Sequence, residues 1–298
     1  MTDLVEDYLL LWVLCSVGLG FFVPQLAVVT RASTLILAVM IGSISLTLSV
    51  DQFRAVDTRS LGLVLVGHVT MPFLAFGIAR GLGLSPELTV GFVVLGAVTP
   101  ELVTPVMTEL AGGETALSTT ALVVIGVGSI GFIPVVVSVL LGGDVDVPTL
   151  PIVEQLVVAV VGPMLVAVGA RAWQPDRVSR YDEYYPAVSA VMVVLIIGGV
   201  TAANAGVIRS SQTLLLTVGI GAVLLNGLGY GVGFLVGSRW TRPTRIASVL
   251  SVGMRDFAVA AALLIAAGLP PVTSLPAVAF GVIEMISSAA LARWFDRY

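Results

Sequence analysis

The chain has 298 residues, of which 57% are hydrophobic and 11% charged, and its mean hydropathy is +1.07. A soluble domain carries about 25% charge, so this composition excludes an ordinary soluble protein and points to an all-α polytopic membrane protein embedded in a lipid bilayer. The fourteen basic side chains are all arginine and face 18 acids for a net charge of −4, and no nucleic-acid partner is expected.

Taken in chain order, the N-terminus opens Thr2-Asp3-Leu4-Val5-Glu6-Asp7 without the basic stretch of a cleavable leader, so the first apolar run is expected to stay as a helix. Cys15 lies inside that run, which leaves no disulfide framework and no thiolate metal site. Reading apolar runs between breakers predicts ten transmembrane helices. The first five cover roughly 8–23, 32–49, 60–80, 88–111 and 115–141, and the second five roughly 151–172, 184–204, 211–237, 244–268 and 272–294. About 20 apolar residues cross a bilayer core of about 30 Å.

Arginine placement orients these spans. With a cytoplasmic N-terminus, the inside segments hold Arg54, Arg59, Arg171, Arg177, Arg180, Arg239, Arg242, Arg245, Arg293 and Arg297, and the outside loops hold Arg31, Arg80 and Arg209. That asymmetry predicts a cell-membrane protein with both termini cytoplasmic. Loop acids such as Asp144, Asp146, Asp182 and Glu183 carry little weight in this rule. Five plus five spans make the second half enter from the opposite side, so 1–149 and 150–298 read as two inverted repeats.

Two spans are interrupted, and each is fourth in its half. Span four contains Ala97-Val-Thr-Pro-Glu-Leu-Val-Thr-Pro-Val-Met-Thr108, where Pro100 and Pro105 each remove an amide donor. The freed carbonyls survive at membrane depth only against protein or a wet cavity. Thr99, Thr104 and Thr108 can bond backbone or offer oxygen to a cation. Glu101 facing lipid would cost about 2.5 kcal/mol or more, so it is expected to face the interior. Span nine contains Ser248-Val-Leu-Ser-Val-Gly-Met-Arg-Asp-Phe257. A break at Gly253 frees Arg255 and Asp256 to face the interior, with Ser251 just before them. Two roles compete for Arg255: holding an anionic substrate, or pairing with Glu101 or Asp256 in a former cation site. Paired breaks of this kind point to a secondary transporter's binding site.

The remaining polar residues are weaker signals. Glu284 lies in the middle of span ten and is a candidate third carboxylate of the site. Ser118 and Asn226 can ligate an ion or bridge helices, and bridging is the commoner role. His68 stands one turn before Pro72, where a helix–helix hydrogen bond outweighs a proton relay. Gly229-Tyr-Gly-Val-Gly233 reads as helix packing. Phosphate-loop, metal-ligand and nucleophile motifs are absent, so the chain does not read as an enzyme, and no resident cofactor is expected.

At these residues the chain resembles the bile acid:sodium symporter family. The likeness runs through Leu46-Thr-Leu-Ser-Val-Asp-Gln-Phe53, Met71-Pro72, Pro105-Val-Met-Thr-Glu-Leu-Ala-Gly-Gly-Glu-Thr-Ala-Leu-Ser118, Asn226-Gly-Leu-Gly-Tyr-Gly-Val-Gly-Phe234, Val252-Gly-Met254 and Ala258-Val-Ala-Ala-Ala-Leu263. The resemblance implies inverted five-helix repeats with broken, crossing helices four and nine. It also implies a panel of spans one, two, six and seven beside a core of spans three to five and eight to ten. The departures fall on the family's sodium ligands. Its Ser-Asn pair in Pro-Gly-Gly-Thr-x-Ser-Asn-Val-Met-Thr falls on Thr104 and Pro105, and its helix-five ligands on Ser118 and Leu122. Its helix-nine Glu, Gln and Asn fall on Ser251, Arg255 and Asp256, its span-three Gln on Gly67, and its helix-ten His-Asn pair on Glu284-Met285. A guanidinium in a sodium ligand's place repels the ion by about 4 kcal/mol at 4 Å and an effective dielectric of about 20.

The resemblance implies a secondary active transporter that moves a small organic anion by alternating access, with sodium as the coupling ion. The metal set retained for sodium is Thr104, Ser118, Ser251 and Asp256. Proton-coupled or uncoupled carriage by Glu101 or Asp256 is one rival, and a non-transporting, sensor-like paralogue is another. The lysine-free, acidic composition fits a prokaryotic member from a salt-rich setting.

Overall fold

The computed structural model describes residues 9–48, 56–142 and 149–297. Among them every regular element is helical, and eight helical segments are long and apolar enough to cross a membrane. Leu9–Phe22 and Pro86–Ala97 are shorter apolar helices. Arg54, which bore on the predicted orientation, and Asp144, Asp146 and the chain's first residues lie outside the described residues.

The elements follow the apolar runs closely. Helix α1 is Leu9–Phe22, and α2 is Ser33–Ser45, preceded by a 3₁₀ run over Pro24–Ala32. That run-in lies ahead of the predicted 32–49 segment, because Thr30 and Arg31 interrupt the apolar pattern there. Helix α3 is Thr58–Gly81, α4 is Pro86–Ala97, α5 is Thr104–Leu110 and α6 is Thr115–Leu141. Asp57 starts α3 by accepting the Ser60 amide at 3.0 Å, and Ser85 starts α4 by accepting the Leu88 amide.

In the second half, α7 (Thr149–Gln155) and α8 (Gly162–Trp173) form one segment through a π-helical turn at Leu156–Val161. There the Gly162 amide reaches back five residues to the Val157 carbonyl, just ahead of Pro163, which has no amide to give. Helix α9 is Tyr185–Ala203, α10 is Gln212–Gly237, α11 is Arg242–Gly253, α12 is Phe257–Ala266 and α13 is Leu275–Arg297.

Packing divides these helices unevenly. Helix α9 lies against α1 and α2, and α2 also packs on α8. Separately, α10 packs on α11, α3 and α13, and α3 packs on α4. Close approach is made by glycines at α10–α11 and α3–α4. A side-chain carbon at Gly233 would sit 2.6 Å from the Ser248 carbonyl oxygen, and one at Gly96 would sit 2.8 Å from Pro72 Cα. Gly229 and Gly233 are therefore packing glycines, as their sequence suggested.

Span nine and the first half of span four are the most deeply enclosed. Of an 18-residue window in Arg242–Ala266, 89% is buried, whereas the other seven long segments range from 33% to 56%. Every residue of α4 from Leu88 to Ala97 is buried as well. The other spans present leucine, valine and phenylalanine outward, such as Leu35, Val139 and Leu235, as lipid-facing helices do. The charged breaks thus lie inside the protein and not against lipid.

Candidate functional site

Span four stops being helical after Ala97 and resumes at Thr104. Pro100 has no amide for the Gly96 carbonyl, and Pro105 has none for the Glu101 carbonyl. The Glu101 carbonyl instead accepts from the Thr104 amide at 2.9 Å, a tight turn that leads into α5. Pro105 itself is half-buried at the first turn of α5, where a missing donor is harmless.

Span nine keeps its helical ladder through the Met254 amide, which bonds the Leu250 carbonyl at 2.9 Å. The next two amides leave it. The Arg255 amide donates to Glu284 Oε2 at 3.1 Å, and the Asp256 amide donates to the Thr99 carbonyl at 3.0 Å. Asp256 then caps α12, its Oδ1 accepting the Val259 amide at 2.8 Å. The two breaks are therefore hydrogen-bonded to one another, and Glu284 of span ten supports the second.

Arg255 is fully buried. Its Nη2 donates to the Val252 carbonyl at 2.9 Å, and its Nη1 donates to the Val98 carbonyl at 3.1 Å and to Nδ1 of His68. A guanidinium only donates, so Nδ1 accepts and the imidazole is the neutral form with its proton on Nε2. Among the described residues the ion pair within 4.0 Å is Arg171–Asp182, and no carboxylate oxygen lies that close to the Arg255 guanidinium. Arg255 therefore neither pairs with Glu101 or Asp256 nor points into open space. Its partners are uncharged acceptors.

Nine buried side-chain atoms among the described residues have no hydrogen-bond partner: His68 Nε2, Thr99 Oγ1, Glu101 Oε2, Thr104 Oγ1, Thr120 Oγ1, Ser248 Oγ, Ser251 Oγ, Arg255 Nε and Asp256 Oδ2. A native interior leaves few such atoms, and each asks for an explanation. These belong to the two breaks, to the half-helix before one of them, and to spans three and five, which pack on α11. Seven of the nine are hydroxyl or carboxylate oxygens, the donor type that suits a hard cation. No group of three or more His, Cys, Asp or Glu able to hold a metal occurs among the described residues. The oxygens are thus of a type that suits a hard cation, without a cluster of three such metal-binding side chains among the described residues.

The expected residues divide on this geometry. Glu101, Thr104, Ser251 and Asp256 are buried and each has an unpartnered oxygen. Ser118 is buried but its hydroxyl already donates to the Thr115 carbonyl at 3.0 Å, and only its lone pairs are free. Glu284 is buried and serves the Arg255 amide. Asn226 bridges helices, donating to the Gly253 carbonyl at 3.3 Å and accepting from Ser287 at 2.7 Å. His68 makes the helix–helix contact expected of it, but with Arg255, a partner no local pattern indicated. Thr120 went unnoticed, because residues two apart on a helix do not share a face and its place after Ser118 gave no signal.

Beside the first break lies a small cavity, with room for about 20 Å3 of water-sized solvent. Its wall combines Ser45 of span two, Thr99 and Leu102 of the break, Leu122 of span five, and Val160 of the π-helical turn. About one water fits such a space. Apart from Ser45 and Thr99 the wall carries no polar side chain, and Arg255 is not part of it.

Comparison with known proteins agrees with this arrangement. Residues 34–211 match the model of the Sodium Bile acid symporter family. The chain is 27% identical over 294 residues to the "Uncharacterized sodium-dependent transporter YocS" of Bacillus subtilis, covering 96% of this chain and 90% of that protein. It is 24% identical over 258 residues to the "Probable sodium/metabolite cotransporter BASS3, chloroplastic" of rice, covering 85% of this chain and 61% of that protein. It is likewise 24% identical over 300 residues to the rice "Probable sodium/metabolite cotransporter BASS2, chloroplastic", covering 98% and 71%. The family model spans more than half the chain, and with multiple apolar helices around two buried, hydrogen-bonded breaks the chain belongs to the sodium bile acid symporter family, whose members are membrane transporters and not enzymes.

Proposed function

We propose that the chain is a sodium-coupled secondary transporter that carries a small organic anion across the cell membrane by alternating access. In this reading Leu9–Phe22 and span four, built from Pro86–Ala97 and Thr104–Leu110, join the eight long segments to make ten spans, arranged as inverted repeats over 1–149 and 150–298 with both termini cytoplasmic. Spans one, two, six and seven form the panel, in keeping with the packing of α9 on α1 and α2 and of α2 on α8. Spans three to five and eight to ten form the core, in keeping with the contacts of α10 with α3, α11 and α13.

The observation that carries the reading is the set of seven unpartnered oxygens on and around two mutually bonded helix breaks. Buried oxygens without partners are costly, and a cation would satisfy them. Thr99, Glu101, Thr104, Ser251 and Asp256 would hold it, with Thr120 and Ser248 beside them and Ser118 offering lone pairs. The relatives' names carry sodium dependence, and this is the ion the oxygens would take. The anion would enter at the seam between the two groups of helices, where the small cavity touches Thr99 and the π-helical turn. An ion held by Thr99's neighbours would then shape the wall the anion meets.

Purified protein in liposomes should take up labelled short-chain carboxylic acids or a bile acid when sodium is higher outside. Glu101→Gln should lower that uptake at least tenfold. Unchanged uptake in the variant would remove Glu101 from the site.

Coupling to protons is the second reading, favoured by Glu101 Oε2 and Asp256 Oδ2, two buried carboxylate oxygens without a donor. A proton gradient alone would then drive uptake in sodium-free buffer.

A further inference from the structure

Arg255 is the largest fully buried side chain among the described residues, and no carboxylate among them lies within 4.0 Å to balance it. Its three bonded acceptors have a common origin. Val98 is the cap residue at the carboxyl end of α4, and Val252 lies in the last turn of α11. In a continuous helix the Val98 carbonyl would take the Leu102 amide, and the Val252 carbonyl would take the Asp256 amide. The breaks cancel both arrangements: 98–103 is not helical, and the Asp256 amide has gone to Thr99. Two freed carbonyls at the negative ends of two half-helices thus meet one positive group, with the ring nitrogen of His68 completing the set.

Unwound carbonyls and half-helix carboxyl ends are the groups that coordinate a free monovalent cation in transporters with broken helices. We infer that the Arg255 guanidinium is a tethered cation, filling from within the chain a cation position at the crossing of the two breaks that a free ion would otherwise occupy. Glu284 supports this arrangement without neutralising it by a close pair, because its Oε2 accepts the Arg255 amide and so fixes the backbone from which the side chain reaches. A guanidinium cannot shed its proton, so this positive charge never leaves with the cargo. The position therefore contributes structure to the transport cycle and no coupling ion, which leaves the unpartnered oxygens as the place for any ion that moves. The inference shares with the proposed function the premise that the crossing receives monovalent cations.

The test compares thermal unfolding of purified wild type, Arg255→Gln and Arg255→Lys in sodium chloride and in choline chloride at equal ionic strength. Glutamine removes the charge and offers an oxygen, while lysine keeps a tethered charge. Arg255→Gln should unfold below wild type in choline and gain, on adding sodium, a rise of roughly 5 °C beyond any rise wild type shows, as mass action on a native-only site requires. Arg255→Lys should keep the wild-type response. The sodium response of wild type itself reads the unpartnered oxygens, so its absence counts against sodium coupling and leaves the comparison with Arg255→Gln intact. A sodium rise in Arg255→Gln no larger than that of wild type overturns the inference. So does an Arg255→Gln protein that stays unfolded when prepared in sodium throughout, because a free ion should replace the guanidinium.

Discussion

The Asp256 amide donates to the Thr99 carbonyl across 3.0 Å, a backbone bond between residues 157 positions apart in the chain (256 minus 99) that joins the break of one half to the break of the other. Neither break can then move or relax alone. Each supplies what the other lacks: span four has carbonyls left over where its helix stops after Ala97, and span nine has amides displaced from its helix. In a membrane interior no water completes these bonds, so the contact between the breaks is held by reciprocal satisfaction.

Asp256 has two separable duties, and two substitutions separate them. Asp256→Asn keeps an acceptor for the Val259 amide, whereas Asp256→Ala also removes the α12 cap. The alanine variant should lose roughly 1 kcal/mol of stability through the cap, and the asparagine variant much less. Both should raise the sodium concentration for half-maximal uptake at least tenfold. An asparagine variant with the wild-type sodium dependence would separate Oδ2 from the cation site.

His68 accepts a guanidinium donor through Nδ1, and its ring also lies 5.2 Å from that of Phe132. His68→Leu should cost roughly 1–2 kcal/mol in thermal unfolding, because a fixed charge loses an acceptor between helices. His68→Asn, with an oxygen near the place of Nδ1, should recover most of that. Equal losses in the two variants would mean that ring packing, not the hydrogen bond, is what His68 contributes.

The glycines of Gly229-Tyr-Gly-Val-Gly233 should separate sharply on substitution. A side chain at Gly233 runs into the Ser248 carbonyl oxygen and Val249 Cα, both at 2.6 Å, whereas Gly231 has nothing within 4 Å. Gly233→Val should force α10 from α11 and lower stability by about 1–3 kcal/mol. Gly231→Ala should leave stability equal or raise it by up to about 1 kcal/mol, since alanine is the better helix former. Detergent-solubilised thermal unfolding reads both.

Asp57, at the start of α3, accepts from the Ser60 hydroxyl at 2.8 Å and the Ser60 amide at 3.0 Å. The hydroxyl bond first, and the amide bond next, hold its carboxyl below the ordinary 3.8. Since the folded value lies below the unfolded one, the stabilisation is complete above the ordinary value and disappears as pH falls through the folded one. The advantage of wild type over Asp57→Ala should therefore be constant between roughly pH 5 and 7 and shrink on acidification below 3.8. An advantage that does not change across that range would assign the effect to something other than the carboxylate.

Much of this was open to reading from the chain. The run at 115–141 coincides with Thr115–Leu141, and the span predicted at 184–204 differs from Tyr185–Ala203 by one residue at each end, because apolar runs bounded by polar residues and proline mark where a chain meets and leaves lipid. Glu101, Arg255 and Asp256 announced themselves as charges inside such runs. The 3₁₀ run-in at Pro24–Ala32 did not, since Thr30 and Arg31 break the pattern on which the reading depends.

What the sequence determined by itself is where the helices run, where two of them fail, and which charges lie at the failures. All of that follows from local facts: apolar length, missing amides, and the cost of charge in lipid. Which groups those charges face was decided by tertiary structure. Arg255 and His68 are 187 residues apart, and Val98 is 157 residues from Arg255, so no spacing rule brings them together. Charge alone would have sent Arg255 to Glu101 or Asp256. The fold sends it to two carbonyls and an imidazole, because only the contact between the two breaks brings freed backbone oxygens to where the guanidinium ends.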